Sequence, residues 1–368
     1  FDSAGSSMVT PRVHHRFGVF GLLAWLLAGL PGAAGAAVQP GIGQQPLGPT
    51  VRPAPHAEQP FPEAQDSTAE AAVVDGRDKR TGRALLEAGA FLTLSTLNYW
   101  RRYADFVEDW QFGLNWKDQR RKLFTGEGHR LDSNTMRLNW THASAGAIYY
   151  NWARTNRLSA GESLLFAAGA SVVWEFAAEW REISSINDHV FTVGGGLAIG
   201  EPLFQIGHYF RNRPGVQNRI LETVSNPILA ANDLFDGAAR PPRVPVDTGH
   251  DFHLLIGGRR GALTADDRRP STGAAELEMR VVTLPGYGEP GTGRGFARRV
   301  IDSGIRFGLD AGSGSAGEFE LRTRTTLFGW WWKQIRLDSE GRPHGHDLWL
   351  GAGTAWDVWQ KRPIADYD

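Results

Sequence analysis

The sequence predicts a mixed, β-rich fold: an antiparallel outer-membrane β-barrel that carries a helical insert or plug. From about residue 248 onward, apolar and polar residues alternate with a period of two in long segments separated by Gly-, Pro- and Asp-rich turns. Residues 139–236 instead show helical spacing. The 14 Trp, 19 Phe and 45 Gly among 368 residues are a mixture typical of barrels with aromatic girdles.

Three segments precede this predicted fold. Residues 1–7 lie upstream of Met8 and resemble an upstream scar. Residues 8–37 have the pattern of a signal peptide, with a basic start, an apolar run at 17–30 and small residues at 34–36. The apolar run is short for a membrane anchor, which favours export to a bacterial envelope, with the outer membrane as the expected location. Residues 38–78 are rich in Pro, Gly, Ala and Gln and predict a disordered linker.

Charge and composition narrow the class of partner. The net charge is −1, from 39 basic and 40 acidic residues, so nucleic acid is not an expected partner. Without cysteine, the chain uses neither disulfides nor thiolate ligands. The basic run Arg120-Arg121-Lys122 is expected to be solvated or to face lipid headgroups. Membrane lipid or an envelope glycan is the expected partner, and the sequence does not define a protein partner.

Residues 79–138 predict an amphipathic helix, Arg83 to Tyr103, followed by a first strand from Trp110 to Phe124. The helical insert, residues 139–236, divides into four segments. None contains 18 uninterrupted apolar residues, so none is predicted to span a bilayer. Ser159 and Glu162 predict a capping box at the start of the second segment. The four predicted helices are Thr141 to Asn156, Ala160 to Glu182, Asp188 to Leu197, and Gln217 to Asp236 with a break at Pro227.

Residues 248–368 predict antiparallel strands. In the last of these strands, Leu348, Leu350, Ala352, Thr354, Trp356 and Val358 should share one face. A soluble sandwich and a transmembrane barrel both fit, but long strands, three Trp at a strand end and export favour the barrel. Counting the strand at Trp110 to Phe124, about six strands are visible where a barrel needs about eight, and a truncated C-terminus would explain the difference. The strands are Phe252 to Leu263, Ala275 to Leu284, Arg299 to Asp310, Glu318 to Trp332 and Asp347 to Trp359.

The strongest functional signal is a series of polar side chains inside otherwise apolar helical segments. Buried carboxylates and imidazoles are costly unless they find partners, so these residues are expected to meet in a polar cluster. The four candidates for chemistry are His142, Glu175, Glu179 and Asp188. The residues assigned to the structural part of the cluster are Asn139, Tyr150, Arg154, Asn187, Thr192, Gly195, Gly196 and Glu201.

Each candidate has a functional and a structural interpretation. His142 is either a general base or metal ligand, or a hydrogen-bonded core residue. Glu175 and Glu179 are one helical turn apart and need a proton, a divalent cation or a base such as His142 or Arg154 between them, unless they lie on a solvated face. No other cofactor is indicated. Glu201 is expected at the negative end of a helix, where it requires a partner.

Local signals explain other members of the series. The segment 184–188 should cap the helix that follows it, and the glycines at 194–196 and 200 should let another helix approach closely. Named catalytic motifs for zinc proteases, P-loops and serine hydrolases are absent. Gly286 to Gly291 matches the G-x-G-x-x-G pattern of dinucleotide-binding motifs. The segment lies between predicted strands and contains Pro290, so we reject the motif.

Five short motifs together resemble a known family. They are Asn139-x-x-His142-x-x-x-Gly146, Trp174-Glu175-x-x-x-Glu179, Ser185-Ile186-Asn187-Asp188, Thr192-x-Gly194-Gly195 and Gly200-Glu201. Over roughly residues 98–210 the chain resembles an uncharacterised bacterial family, domain of unknown function 3943. The resemblance implies an exported, membrane-associated envelope protein and supplies no catalytic residues.

Two functions follow from this reading. In the first, the helical insert forms a buried polar network inside the barrel and acts as a plug, gate or docking element. In the second, the chain is a hydrolase of an envelope lipid or glycan, with His142 as base and Glu175 or Asp188 orienting it. A closed, fully paired network favours the first, and convergence on an open pocket favours the second.

Overall fold

The computed structural model describes residues 79–103, 111–131, 136–236, 249–260, 271–284, 286–312 and 318–361. All of them lie in one compact unit, residues 57–368. The predicted scar, signal peptide and linker, residues 1–78, lie outside the described residues. The mixed helical and antiparallel fold is confirmed, and among the described residues helix (50%) exceeds strand (33%), so the helical part is larger than predicted. The reason is that residues 79–236 are almost entirely helical where they are described.

Eight α-helices are described before the sheet, and two π-helical segments interrupt them, Trp174–Ala178 and Gly196–Gly200. Two very short strands, β1 (His129–Arg130) and β2 (Ser184–Ser185), pair in parallel beside the helices. The helices are α1 Thr81–Tyr103, α2 Trp116–Phe124, α3 Met136–Thr155, α4 Ala160–Val173, α5 Ile186–Gly195, α6 Glu201–Arg211, α7 Val216–Ser225 and α8 Pro227–Phe235.

Local capping signals place several of these helices. The Ser159–Glu162 capping box is present, and the Ser185 hydroxyl accepts from the Asp188 amide at 3.2 Å. The break at Pro227 is confirmed between α7 and α8. The strand predicted at Trp110 to Phe124 is wrong, because Asn115 caps α2 through the Asp118 amide and the following residues coil.

Six long strands form one antiparallel sheet: β3 Gly249–Arg260, β4 Ser271–Val282, β5 Gly291–Ala297, β6 Asp302–Gly312, β7 Glu318–Leu337 and β8 Pro343–Lys361. β3, β4, β6, β7 and β8 follow one another across the sheet, and β5 pairs with the second half of β7 beyond the end of β6. In the described residues β3 and β8 are not paired, so a closed barrel stays a prediction. The segment at Gly286 forms a turn before β5, in agreement with rejection of the dinucleotide motif.

The sheet has an apolar face and a polar face. The polar face carries cross-strand ion pairs, including Arg306–Glu276 at 2.8 Å and Arg324–Glu278 at 3.5 Å. Register and alternation place eighteen large apolar residues on the opposite face. They are Phe252, Leu254, Ile256, Leu277, Met279, Val281, Ile305, Phe307, Leu309, Phe319, Leu321, Phe328, Trp330, Trp332, Leu348, Leu350, Trp356 and Val358.

One irregularity in β7 keeps this apolar face continuous. Thr326 pairs with Gly353 and Phe328 pairs with Ala352, so Leu327 is an extra residue without a partner in β8. The bulge reverses the alternation of β7, and Phe328 therefore lies on the same face as Leu321. β8 has no such insertion, so its six alternating residues from Leu348 to Val358 share one face, as predicted.

The helices pack against the apolar face. Ile206, Tyr209 and Phe210 of α6 form a buried cluster with Val281 and Ile305. Next to it, Ile199 and partly buried Trp356 belong to another cluster between helix and sheet. A helical plug in a polar lumen would instead contact the ion-paired face, so the contacts differ from that expectation. Within the described part of the chain, no helix is long and apolar enough to cross a membrane.

Candidate functional site

Two central helices, α3 and α5, approach so closely that only glycine fits between them. A Cβ on Gly146 would lie 1.7 Å from the Thr192 carbonyl oxygen, and one on Gly195 would lie 2.4 Å from Ala143 Cα. Gly196 faces the Gly146 carbonyl in the same contact. The prediction of close helix packing is therefore confirmed for Gly195 and Gly196 but wrong for Gly194, whose Cβ would meet nothing within 4 Å. The contact fixes the spacing of the side chains on either side of it.

At one end of this helix pair, Glu201 lies in a fully paired polar network. Arg154 Nε and Nη2 donate to the two Glu201 carboxylate oxygens at 2.8 and 2.9 Å. Tyr150 donates at 2.7 Å and Gln205 at 2.6 Å, and Arg154 also stacks over the Phe204 ring. Because both carboxylate oxygens accept hydrogen bonds in a buried place, we assign this network a structural role.

The predicted location of Glu201 needs a correction. The chain stays helical through Gly196–Gly200 and continues into α6, so Glu201 lies at the first residue of that helix. It is not at the negative C-terminal end of a helix. Arg154 was one of the candidate partners for Glu175 and Glu179, and the structure places it on Glu201 instead.

At the other end, His142, Glu175 and Asp188 converge from α3, the first π segment and α5. One ligand atom from each lies within 4.8 Å of the other two. His142 Nε2 is 3.4 Å from Asp188 Oδ2. We call these three residues the convergent triad.

Glu175 differs from Glu201 in how its carboxylate is satisfied. Its side chain is buried, and Oε2 accepts from the Ser185 amide at 3.0 Å. Oε1 is buried and has no hydrogen-bond partner. Burial, with the negative charges of Glu179 and Asp188 nearby, raises the pKa of Glu175 above its ordinary value. A buried, unsatisfied carboxylate oxygen is unusual and points to a missing proton, water or ligand.

The π turn places Glu179 beside the triad rather than one regular turn away from Glu175. The Glu179 amide donates to the Trp174 carbonyl at 2.9 Å, five residues back. The Trp174 indole donates to Glu179 Oε1 at 2.8 Å. Burial raises the pKa of Glu179, and the indole hydrogen bond offsets part of this rise. Glu175 and Glu179 thus both have a pKa above the ordinary value.

Lys122 was expected on a solvated surface, and this prediction is wrong. Its side chain is buried, and Nζ donates to the backbone carbonyls of Glu175 at 2.8 Å and of Glu179 at 2.6 Å. Burial lowers the pKa of Lys122 to about 8. The ammonium thus holds the π turn through carbonyl oxygens that this widened turn exposes. A run of three basic residues gave no sign that one of them would be buried.

Sequence reasoning also missed His189. Its Nδ1 lies 2.8 Å from the Ser171 hydroxyl, and its ring stacks on Phe176. Burial, with His129 and His142 nearby, lowers the pKa of His189 and favours the neutral ring. The helical spacing of Ser171 and Glu175 places this Ser–His pair beside the triad. Ser171 and His189 meet only because α4 contacts α5, so no local sequence signal could have identified the pair.

The remaining predicted residues tie the elements of the site to one another. Asn187 donates to the Asn139 side chain at 3.0 Å, which links α5 to the start of α3. Thr192 is buried where its carbonyl faces Gly146. The predicted single cluster is therefore divided: Tyr150, Arg154 and Glu201 form one closed network, and the convergent triad with Glu179 forms another site.

Residues 128–230 match the family model described as Domain of unknown function (DUF3943). The match includes α3 to α7, both polar networks and the three helix-packing glycines, and it ends before the long strands. It confirms the family resemblance read from the five motifs. No curated protein and no solved structure matches the chain.

Proposed function

We propose that the protein is a membrane-bound envelope protein whose sheet places its apolar face in lipid and its polar face in water. The observation that carries this proposal is the exposed apolar surface on one face of the sheet. Ile256 is 79% exposed and Leu350 is 66% exposed on that face. Large contiguous apolar surfaces in contact with water are unfavourable, and they mark interaction sites for membranes or proteins.

The order of residues along β7 supports lipid as the occupant. Phe328, Trp330 and Trp332 on the apolar face are followed by Gln334 and Arg336 toward the strand end. Arg294 of β5 pairs with Trp332, so a guanidinium lies beside the last of these aromatic residues. Membrane proteins commonly show this order of residues: apolar residues contact the acyl chains, Trp lies at the interface, and basic residues reach the headgroups.

The same arrangement fits part of an outer-membrane barrel with a polar interior, which is the finer form of this proposal. The helical layer then acts as a docking element on the sheet, because its α6 contacts lie on the apolar face. The paired Glu201 network holds this layer together. These contacts favour docking over a plug that fills a polar lumen.

Single cysteines test this proposal, because the native chain has none. Leu350→Cys and Ala355→Cys place a thiol on opposite faces of β8. Each variant is labelled with bimane and reconstituted in liposomes that contain brominated acyl chains. We expect strong quenching at position 350 and little at position 355. Equal quenching at both positions, or none at either, in protein that retains native circular dichroism would contradict lipid contact.

A second candidate function is a hydrolase that acts on an envelope lipid or glycan. Convergence of His142 with two carboxylates, one of them carrying an unsatisfied oxygen, supports it. His142 would act as the general base toward water, and Asp188, 3.4 Å away, would orient its ring. With a divalent cation at the triad, His142 would be a ligand instead of the base, and the cation would activate the water.

The hydrolase candidate is tested with total envelope lipid and glycan extracts as substrates. Product release by the wild type, its loss in His142→Ala and Glu175→Gln, and its retention in Glu340→Gln are the expected results. Glu340 is an exposed carboxylate in the β7–β8 turn and serves as the control. No product from any extract, or full activity in folded His142→Ala protein, would reject this candidate.

A further inference from the structure

We propose that His142, Glu175 and Asp188 form a binding site for one divalent transition-metal ion. The inference deepens the hydrolase candidate by naming its metal class, although metal binding is measurable without substrate or membrane. Three side chains from three different elements meet at one point, with ligand atoms within 4.8 Å of one another. Bonds of about 2.0–2.2 Å to a shared metal place ligand atoms as much as about 4.4 Å apart, so small side-chain adjustments would complete the site.

The unsatisfied oxygen of Glu175 is the second, independent observation. Oε1 is buried without a hydrogen-bond partner, while Oε2 is held by the Ser185 amide. In many metal sites a hydrogen bond holds one oxygen of a carboxylate, and the other oxygen binds the ion. Glu175 has this arrangement. In the Glu201 network, by contrast, both oxygens are satisfied by Arg154, Tyr150 and Gln205. Glu175 thus keeps an available carboxylate oxygen, whereas Glu201 does not.

Charge near the triad favours a cation. Glu175, Glu179 and Asp188 bring three carboxylates together. Lys122 is the buried ammonium described beside them, and its Nζ hydrogen bonds go to backbone carbonyls rather than to these side chains. Lys122 reduces the repulsion between the three carboxylates without a hydrogen bond to any of them. A bound divalent cation would offset this repulsion by direct contact.

The donor set selects the class of metal. One imidazole nitrogen with two carboxylate oxygens suits Zn²⁺, Mn²⁺ or Fe²⁺, whereas Ca²⁺ takes six to eight oxygen ligands. Three protein ligands leave a coordination position for water, as in catalytic rather than structural zinc sites. The His189–Ser171 pair would lie beside the site as neighbouring polar groups, since Ser171 precedes Glu175 by one turn.

Isothermal titration of the untagged, chelator-treated full chain with ZnCl₂ tests the site. We expect one high-affinity ion per chain in the wild type. Removing an outer-shell partner of a metal site commonly weakens binding about 10–100-fold, so removing a ligand in Glu175→Gln or Asp188→Asn should weaken it by at least about 100-fold. Glu340→Gln is the matched control and should bind as the wild type does.

Each outcome is decisive for the inference. If folded wild-type protein binds no Zn²⁺, or if Glu175→Gln and Asp188→Asn both bind it unchanged, the triad is not a metal site. The two substitutions are nearly isosteric, and circular dichroism confirms folding before titration. Metal binding without hydrolysis would leave this inference intact and reject the hydrolase candidate, while loss of lipid contact would affect only the membrane proposal.

Discussion

Glu175 and Glu201 are both fully buried, yet the fold treats them in opposite ways. Glu201 receives a bidentate guanidinium, a phenol and an amide. Glu175 receives one backbone amide and lies among other acids. Since a buried charge is tolerated only with compensation, the first residue should stabilise the fold while the second should strain it in the absence of a ligand.

Removing Arg154 tests the role of the paired network. Arg154→Met leaves the buried Glu201 carboxylate without its main partner, and breaking such pairs costs about 3–5 kcal/mol of unfolding free energy. Thermal unfolding should show a fall in Tm of about 6–20 degrees or a failure to fold. Arg342→Met, which breaks two ion pairs at the protein surface, should leave Tm within a few degrees. Similar Tm values for the two variants would contradict a structural role.

The pKa of Glu175 predicts a pH-dependent stability of the metal-free protein. The ordinary value is 4.5 and burial beside Glu179 and Asp188 raises it to about 8. The folded state therefore binds a proton more tightly than the unfolded state, and the free energy of unfolding should fall as pH rises from about 5 to about 8. Denaturant titrations with chelator present should show this slope, with a smaller one in Glu175→Gln. An identical slope in both would refute the assignment.

Residue types and order were enough to identify the candidate polar residues, but not their partners. His142, Glu175 and Asp188 were predicted together, and they meet. The pairing of Arg154 with Glu201 joins positions 47 residues apart, so it depends on how α3 and α6 cross. The burial of Lys122 depends on a π turn elsewhere in the chain, which helical periodicity does not reveal.

At the scale of elements, two π-helical segments adjoin the two polar networks. Trp174–Ala178 contains Glu175, and Gly196–Gly200 immediately precedes Glu201. Single π turns inside α-helices occur often at functional sites because they widen the helix and turn side chains away from the regular register. Hydrophobic spacing predicted these helices and their caps, but it located neither π turn.

Adjacent glycines in α5 provide a matched test of the α3–α5 contact. A Cβ on Gly195 would overlap Ala143, whereas one on Gly194 meets nothing within 4 Å. Both substitutions by Ala gain about 1 kcal/mol of helix propensity. Gly194→Ala should therefore be neutral or stabilising, while Gly195→Ala should lose about 1–3 kcal/mol or more through overpacking. Denaturant midpoints measure both, and equal effects would contradict close packing.

The whole molecule is a helical layer on part of an antiparallel sheet, with apolar sheet surface extending beyond the helices. The period of two predicted five of the six long strands with small boundary errors. The missing strand, Gly291–Ala297, contains three glycines in seven residues and shows little alternation. The sequence could not predict which face of the sheet the helices cover. Alternation separates the two faces of a strand but does not show what packs against either of them.

Charge placed on either face should reveal which one contacts lipid. Leu350→Arg puts a guanidinium on the apolar face, where burial in a membrane interior costs about 2–4 kcal/mol. Ala355→Arg puts the same group on the polar face of the same strand. Liposome flotation should show weaker membrane association for the first variant and wild-type behaviour for the second. Equal association would rule out lipid on the apolar face.

The extra residue Leu327 has a consequence for comparing related sequences. Because Leu327 is unpaired, its deletion would join Thr326 to Phe328 in regular alternation and would leave Trp330 and Trp332 on the apolar face. An aligned relative with a one-residue gap at this position would thus keep the same surface. Substitutions among the tryptophans, more than gaps at this position, should separate sequences that share this surface from those that do not.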